Sequence, residues 1–443
     1  MTQDKTARAI EEPLSPLYSF NRPNEPVLLH QGPLSDVAPD SRSGVIELSC
    51  SPSPRLRWTC TTHDEDRPTL PGEVDLSIER HGQPLNLKAI CRTHGEGWIN
   101  HCEFGDPGAE LERLLVHWMN LPDILGNATL EERRDGQIHR WAGRWRGDID
   151  GWSIILDSRP DLSKLVRDAH VENVFVLTHV MEVRRSDGEL FSVKSAEDLL
   201  EQLRVGLSFA LGRWVAPALP VGYGDSGKVL WESWSSVLCD PLQGTGAAWL
   251  YYHSTDDFDD YMRSLLGAFS REGEQGLLRF QMVFAVQTNN VGFIEQRVLA
   301  AFSVFENIEW IELVLGGRVS EAEYRSKKWP GEARLREVLR SASISTDLGD
   351  FELPALEEFA KQENLKDGPA ALVRLRNRLV HPNSPRDEVY RFAGASTDAW
   401  FLARHYLTML ILKRIGYPGR YSKQMPPFGW FGSTEPMPWN EKR

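Results

Sequence analysis

The sequence predicts an α+β protein in which an N-terminal β-rich region precedes a C-terminal all-α bundle. Two observations carry that expectation. Short alternating runs separated by Gly, Pro and Asp fill residues 44 to 252, and segments with apolar residues at three- and four-residue spacing follow from residue 253. A length of 443 residues exceeds one typical domain, so more than one core is expected. Apolar content of 41% with 26% charged residues excludes a disordered, collagen-like or low-complexity chain.

Residues 1–43 are rich in Pro, Asp, Ser and Asn and read as an irregular arm with one short strand over Pro26 to His30. From Gly44 the runs GVIELS, PRLRWTC, EVDLSIERHGQPLNLKAIC, GWINHCEF, HRWAGRWRG and GWSIILDS alternate as the strands of an antiparallel, sandwich-like sheet do, with His81-Gly82-Gln83 as a hairpin turn. ERLLVHWMNLPDIL has the length of a helix but the β-branched and aromatic content of a strand. NVFVLTHVMEV and RRSDGELFSV read as strand, turn and strand, and GKVLWESWSSV as a further strand. Between them SAEDLLEQLRVGLSFALGRWV reads as a packed amphipathic helix opened by Ser195. This region, 44–252, is either one domain or two subdomains split near residue 158. Residues 253–420 read as antiparallel helices joined by short Gly, Pro, Asp and Ser breaks, and 421–443 as a Pro- and aromatic-rich tail lying over the surface.

No apolar stretch is long enough for a signal peptide or a spanning helix, so a cytosolic protein without membrane contact is expected. Five cysteines, an odd number, predict thiols and no disulfide framework. Cys60-x-x-His63 and Cys91-x-x-His94, followed by His101-Cys102, have the spacing of a structural zinc site; the alternative is that these cysteines are small core residues. Phosphate-cradling glycine loops, nucleophile elbows and metalloprotease motifs do not occur in the sequence, which disfavours those enzyme classes.

The balance of 50 Lys+Arg against 63 Asp+Glu gives −13, which on its own repels polyanions. The charge is uneven along the chain, however. Residues 361–420 hold 11 Lys+Arg and 5 Asp+Glu, a net of +6. Inside that stretch runs LVRLRNRLVHP, from Leu372 to Pro382. Leu372, Leu375 and Leu379 form one apolar stripe, so Arg374, Arg376, Asn377 and Arg378 are expected on the other faces. Proline disfavours helix at the residue before it, so the helix should end near His381.

Arg, four residues, then His is a weak pattern, and chance supplies roughly one copy in a chain of this composition. A second copy, Arg134 to His139, lies in the β-rich half without a helical stripe. The copy at Arg376 adds Asn directly after the Arg and Pro directly after the His, in the last third of a bundle. Arg376-Asn377-Arg378-Leu379-Val380-His381 resembles the signature of HEPN-domain proteins, over roughly residues 255 to 416. The β-rich region before it is similar in order to the HEPN-like anti-phage defence proteins of the ApeA type. The resemblance implies a metal-independent endoribonuclease without cofactor, built as a homodimer in which two motif helices form one composite cleft, with RNA as substrate and a phage protein as candidate trigger.

It also implies roles. His can exchange protons with the attacking 2′-hydroxyl and the leaving oxygen, and Arg can hold the charge that grows on the phosphoryl oxygens. Arg376, Asn377 and His381 would form the reaction site, and Arg374, Arg378, Arg386 and Arg391 would contact the RNA backbone. Glu295 and Glu306, which share a helix face, and His405 would support the site. Two readings compete with it. Cations in the last turn of a helix also offset its dipole, and the same bundle can serve as a non-catalytic dimerisation scaffold whose β-rich partner region senses a ligand or protein. Glu295 and Glu306 can equally be a solvated helix face.

Overall fold

The computed structural model describes residues 10–34, 43–60, 71–93, 95–134, 136–169, 173–242, 248–290, 292–381, 389–430 and 432–440. The chain divides into two compact units, one of residues 1–204 and 214–244, the other of 205–213 and 245–443. The architecture is α+β, β-rich first and helical second. The second unit takes the end of a helix that the sequence assigns wholly to the β-rich region.

Among the described residues of the first unit, one sheet has six antiparallel strands: Val27–Pro33, Ser43–Ser49, Arg55–Cys60, Glu96–Ile99, Gln83–Thr93 and Gly72–Arg80, in spatial order. The other has nine, from Ile10–Glu11 at one edge to His101–Gly105 at the opposite edge. The division that matters falls at Asn100, where the chain passes from one sheet to the other. Near residue 158, Trp152–Ser158 pairs residue by residue with Leu177–Arg185 inside the nine-stranded sheet.

The ambiguous segment is the strand Arg113–Met119, flanked by Leu177–Arg185 and Ala216–Tyr223. Almost every residue of it is buried, so both faces are apolar and the alternation that marks a half-exposed strand is lost. Apolar residues of both sheets, among them Leu76, Leu87, Leu115, Val180 and Trp234, meet in one core. Trp58 and Trp145 are core residues as well. The short helix α1 (Leu162–Asp168) lies in the connection between Trp152–Ser158 and Leu177–Arg185, with Leu165 packed among Val174, Val176 and Leu242. The helix α2 (Val193–Leu211) begins two residues before the Ser195 predicted to open it. Its first turn is capped by Ser192, whose Oγ accepts the Ser195 N–H at 3.2 Å.

The second unit contains α3 (Thr255–Phe269), α4 (Glu274–Asn290), α5 (Ile294–Glu309), α6 (Glu321–Tyr324), α7 (Gly331–Ser341), α8 (Pro354–Gln362), α9 (Gly368–Val380) and α10 (Ala395–Ile415). α5 runs on into a π-helical turn, Trp310–Leu315. α10 is buried nearly all round from Leu402 to Leu412 and packs against α3, α4, α5, α8 and α9. The end of α2 joins this unit through Gly206: a Cβ there would stand 2.2 Å from Leu265, and Tyr261 donates to the Gly206 carbonyl at 2.7 Å. Trp249 closes that corner against Phe209, Tyr261 and Tyr417. Among the described residues no helix is long and apolar enough to cross a membrane.

Candidate functional site

α9 is positioned at its start by one carboxylate. Asp367 caps it by accepting the Ala370 N–H at 3.0 Å, and the same side chain holds Arg336 of α7 bidentately at 2.5 and 3.0 Å. This locks the register of α9 against α7. Ala371, Leu372 and Leu375 are buried, and Leu379 is half-buried. At the far end the helix stops at Val380. His381 has left helical geometry (φ −132°, ψ 68°), as a residue before proline should, and its N–H donates to the Asn377 carbonyl at 2.7 Å.

The structure separates the arginines of this segment into two groups. Arg378 is not an exposed RNA contact. Ala371, Leu375 and Arg378 lie at i, i+4 and i+7, so Arg378 shares the buried face. Its guanidinium lies against the T-shaped pair of Phe359 and Phe392, 5.8 and 5.7 Å from their centroids, and donates to Glu363 at 2.6 Å. Glu363 also takes Arg374, at 2.9 and 3.1 Å, and Arg391, at 3.5 Å. The +6 counted along the chain is therefore partly spent inside the fold. Arg386 lies outside the described residues.

Arg376 belongs to the other group. Its Nη1 donates to Asn377 Oδ1 at 3.2 Å, and its Nη2 lies 3.7 Å from Glu306 of α5. Asn377, His381 and Glu306 are exposed, and the Arg376 side chain retains 28% exposure. Glu306 is thus beside the motif, whereas Glu295, three turns earlier on α5, accepts a hydrogen bond from Tyr390. His405 is not part of the site. It lies in the core of α10 against Phe351, Tyr406 and Tyr421, and burial, reinforced by the Lys423 and Arg404 charges, pushes its imidazole down to about 3. It is a neutral packing residue.

Next to Glu306 the end of α5 carries a carboxylate that the sequence did not single out. Glu309 is buried, with Arg334 Nε at 3.0 Å and the Tyr324 hydroxyl at 3.4 Å. Burial outweighs Arg334 and raises it to about 7.

In the β-rich unit Cys91 is buried and Cys60 half-buried, both against the shared core, and the Cys91 thiol donates to the Thr93 carbonyl at 3.1 Å. Their proposed zinc partners His63 and His94 lie outside the described residues. Among the described residues no cluster of three or more His, Cys, Asp or Glu could hold a metal ion. That unit also contains a cleft of about 840 Å³ bordered by Tyr18, Phe20, Arg133, Trp141 and Arg159. No sequence motif announces it, because the segment 10–20 that forms one wall has no periodicity of its own.

Two YopA domain models match. Residues 106–245 match the one described as the YopA central domain, and 278–435 the one described as the YopA C-terminal domain. The first covers most of the nine-stranded sheet; the second covers most of α4 and all of α5 to α10, with Arg376 and His381 inside it. The chain is similar to the SPbeta prophage-derived uncharacterized protein YopA of Bacillus subtilis (strain 168), 25% identical over 364 residues, which are 80% of this chain and 76% of the relative. No solved structure matches.

Proposed function

We propose that the helical unit is a metal-independent, HEPN-type endoribonuclease of the cytoplasm, that it acts in anti-phage defence or as a toxin, and that a homodimer completes its site. The observation that carries this reading is the exposed end of α9. Arg376 is oriented there by Asn377 and left reachable, five residues before a His381 that has come out of the helix, while neighbouring arginines are held by Glu363. A helix end that only offset its dipole would not need Asn377 to direct the Arg376 fork. The prophage origin named for the relative is consistent with conflict between phages and their hosts.

In this reaction Arg376 binds the scissile phosphate and stabilises the charge that grows on its oxygens, and His381 moves a proton at the 2′-oxygen or the leaving 5′-oxygen. The products carry a 2′,3′-cyclic phosphate and a 5′-hydroxyl. Incubation of the purified protein with total RNA, with and without EDTA, tests this. Cleavage should persist in EDTA, and His381→Ala or Arg376→Ala should each lower it by about 100-fold or more. Undiminished cleavage by both variants refutes the assignment. Where cutting requires a phage trigger, the readout is phage protection, which the folded His381→Ala protein should lose.

A further inference from the structure

The four most exposed aromatic side chains among the described residues all belong to the helical unit: Trp430 is 91% exposed, Phe293 74%, Tyr390 68% and Phe428 62%. Isolated exposed apolar residues need no explanation, but Phe428 continues a chain of rings and arginines, and Phe293 and Trp430 lie within four and two residues of that chain in sequence. Phe293 precedes α5, one turn before Arg297. The Arg297 guanidinium lies 5.0 Å from the Trp400 centroid, Trp400 contacts Phe401 at 4.7 Å, and Phe401 contacts Phe428 at 5.6 Å, two residues from Trp430. Arg404 covers Trp400 and Phe401 from the side of the core.

The strip leads towards the end of α9. Tyr390 is tethered to Glu295, two residues beyond Phe293. Its neighbour Arg391 reaches Glu363, and Phe392 packs on Arg378 at the buried face of α9. Glu295 and Glu306, which mark Tyr390 and Arg376 along α5, are 11 residues apart, a rise of about 16 Å.

We infer that this strip is a stacking track for single-stranded RNA, along which bases on one side of the scissile phosphate lie between exposed rings while the backbone passes Arg297 and Arg376. The inference rests on the nuclease reading and names its substrate as unpaired RNA. Alternation of rings and guanidinium groups fits this occupant, because every base offers a π-face and every phosphate a charge. A purely apolar dimer face would not interleave arginine with its aromatics in this way.

The test is fluorescence anisotropy with a labelled single-stranded 12-mer of mixed sequence and with the same sequence as a duplex. The full-length His381→Ala protein is the reference, which removes cleavage from the readout. Phe293→Ala, Tyr390→Ala and Trp430→Ala change exposed side chains, so the fold should survive them. Each should weaken single-strand binding about 5- to 100-fold, and the duplex should bind more weakly than the single strand. Unchanged single-strand affinity in all three variants, or equal affinity for duplex, overturns the track. So does a shift from dimer to monomer in these variants with RNA binding intact, which would make the strip an interface between copies. Stacking-dependent binding by a wild-type protein that cuts no RNA, with phage protection unchanged in His381→Ala, would refute the nuclease and leave the track standing. Cleavage that persists with unaltered KM in the aromatic variants would do the reverse.

Discussion

Glu232 in the β-rich unit and Glu306 in the bundle are both carboxylates facing arginine, and their surroundings differ completely. Glu232 is fully buried and accepts hydrogen bonds from Arg80 at 2.9 and 3.0 Å, His81 at 2.7 Å, Trp234 at 2.7 Å and the Tyr18 hydroxyl. These contacts join the N-terminal segment and both sheets at one point. Burial alone would raise Glu232, but its bonds to Arg80 and Tyr18 prevail and hold the carboxyl below the usual range. Glu306 is exposed and touches Arg376 only at 3.7 Å. The first arrangement uses every donor and holds the fold together. The second leaves a cation within reach of a ligand, so loosely satisfied charge is the better guide to a site.

Substitutions can break that comparison. The largest effect on stability is expected for Glu232→Ala, which strands Arg80 and Tyr18 at a buried junction and should cost about 4–5 kcal/mol in denaturant unfolding. A loss under 1 kcal/mol would show that the cluster does not hold the sheets. Its pH dependence has a definite sign. A depressed carboxyl contributes fully above its unfolded value of 4.5, and that contribution disappears as pH falls through the folded value. Acid unfolding of the β-rich unit below pH ~4 should therefore be blunted in Glu232→Gln.

Glu363→Ala comes next, at about 3 kcal/mol, because Arg378 would remain buried against Phe359 and Phe392 without its carboxylate. An unchanged melting temperature would argue that Arg378 can reach water. Glu309 works in the opposite direction to Glu232. Its folded value near 7 lies above 4.5, so the bundle should lose about 3 kcal/mol as pH rises between those values. Glu309→Gln should flatten that slope in melts at pH 5 and 8; a slope identical to wild type would place the titration elsewhere. The smallest effect belongs to Glu306→Gln, expected within about 0.5 kcal/mol on stability, since the Arg376 pair is long and wet. A large loss would mean that Arg376 is structural after all.

Much of the fold was legible in the residues. Period-two runs marked most strands, and the period near 3.6 marked the longer helices of the bundle. His381-Pro382 marked the end of α9. The segment left open and the residues misplaced share a cause. Arg113–Met119 lost its alternation because both faces are covered. Arg378 and His405 were polar residues at core positions, where a sequence shows the charge but not the rings that enclose it. The aromatic strip draws on residues from 293 to 430, and no local pattern connects them.

By itself, then, the sequence determined the order of the β-rich and helical regions, the helix that carries Arg376 and the point where that helix stops, because these depend on local periodicity and on proline's steric demand. Only the tertiary structure decided which arginine is reachable and which is consumed. That choice depends on Glu363, Phe359 and Phe392 arriving from other parts of the chain to bury one guanidinium, while among the described residues Arg376 has the exposed Glu306 as its charged partner.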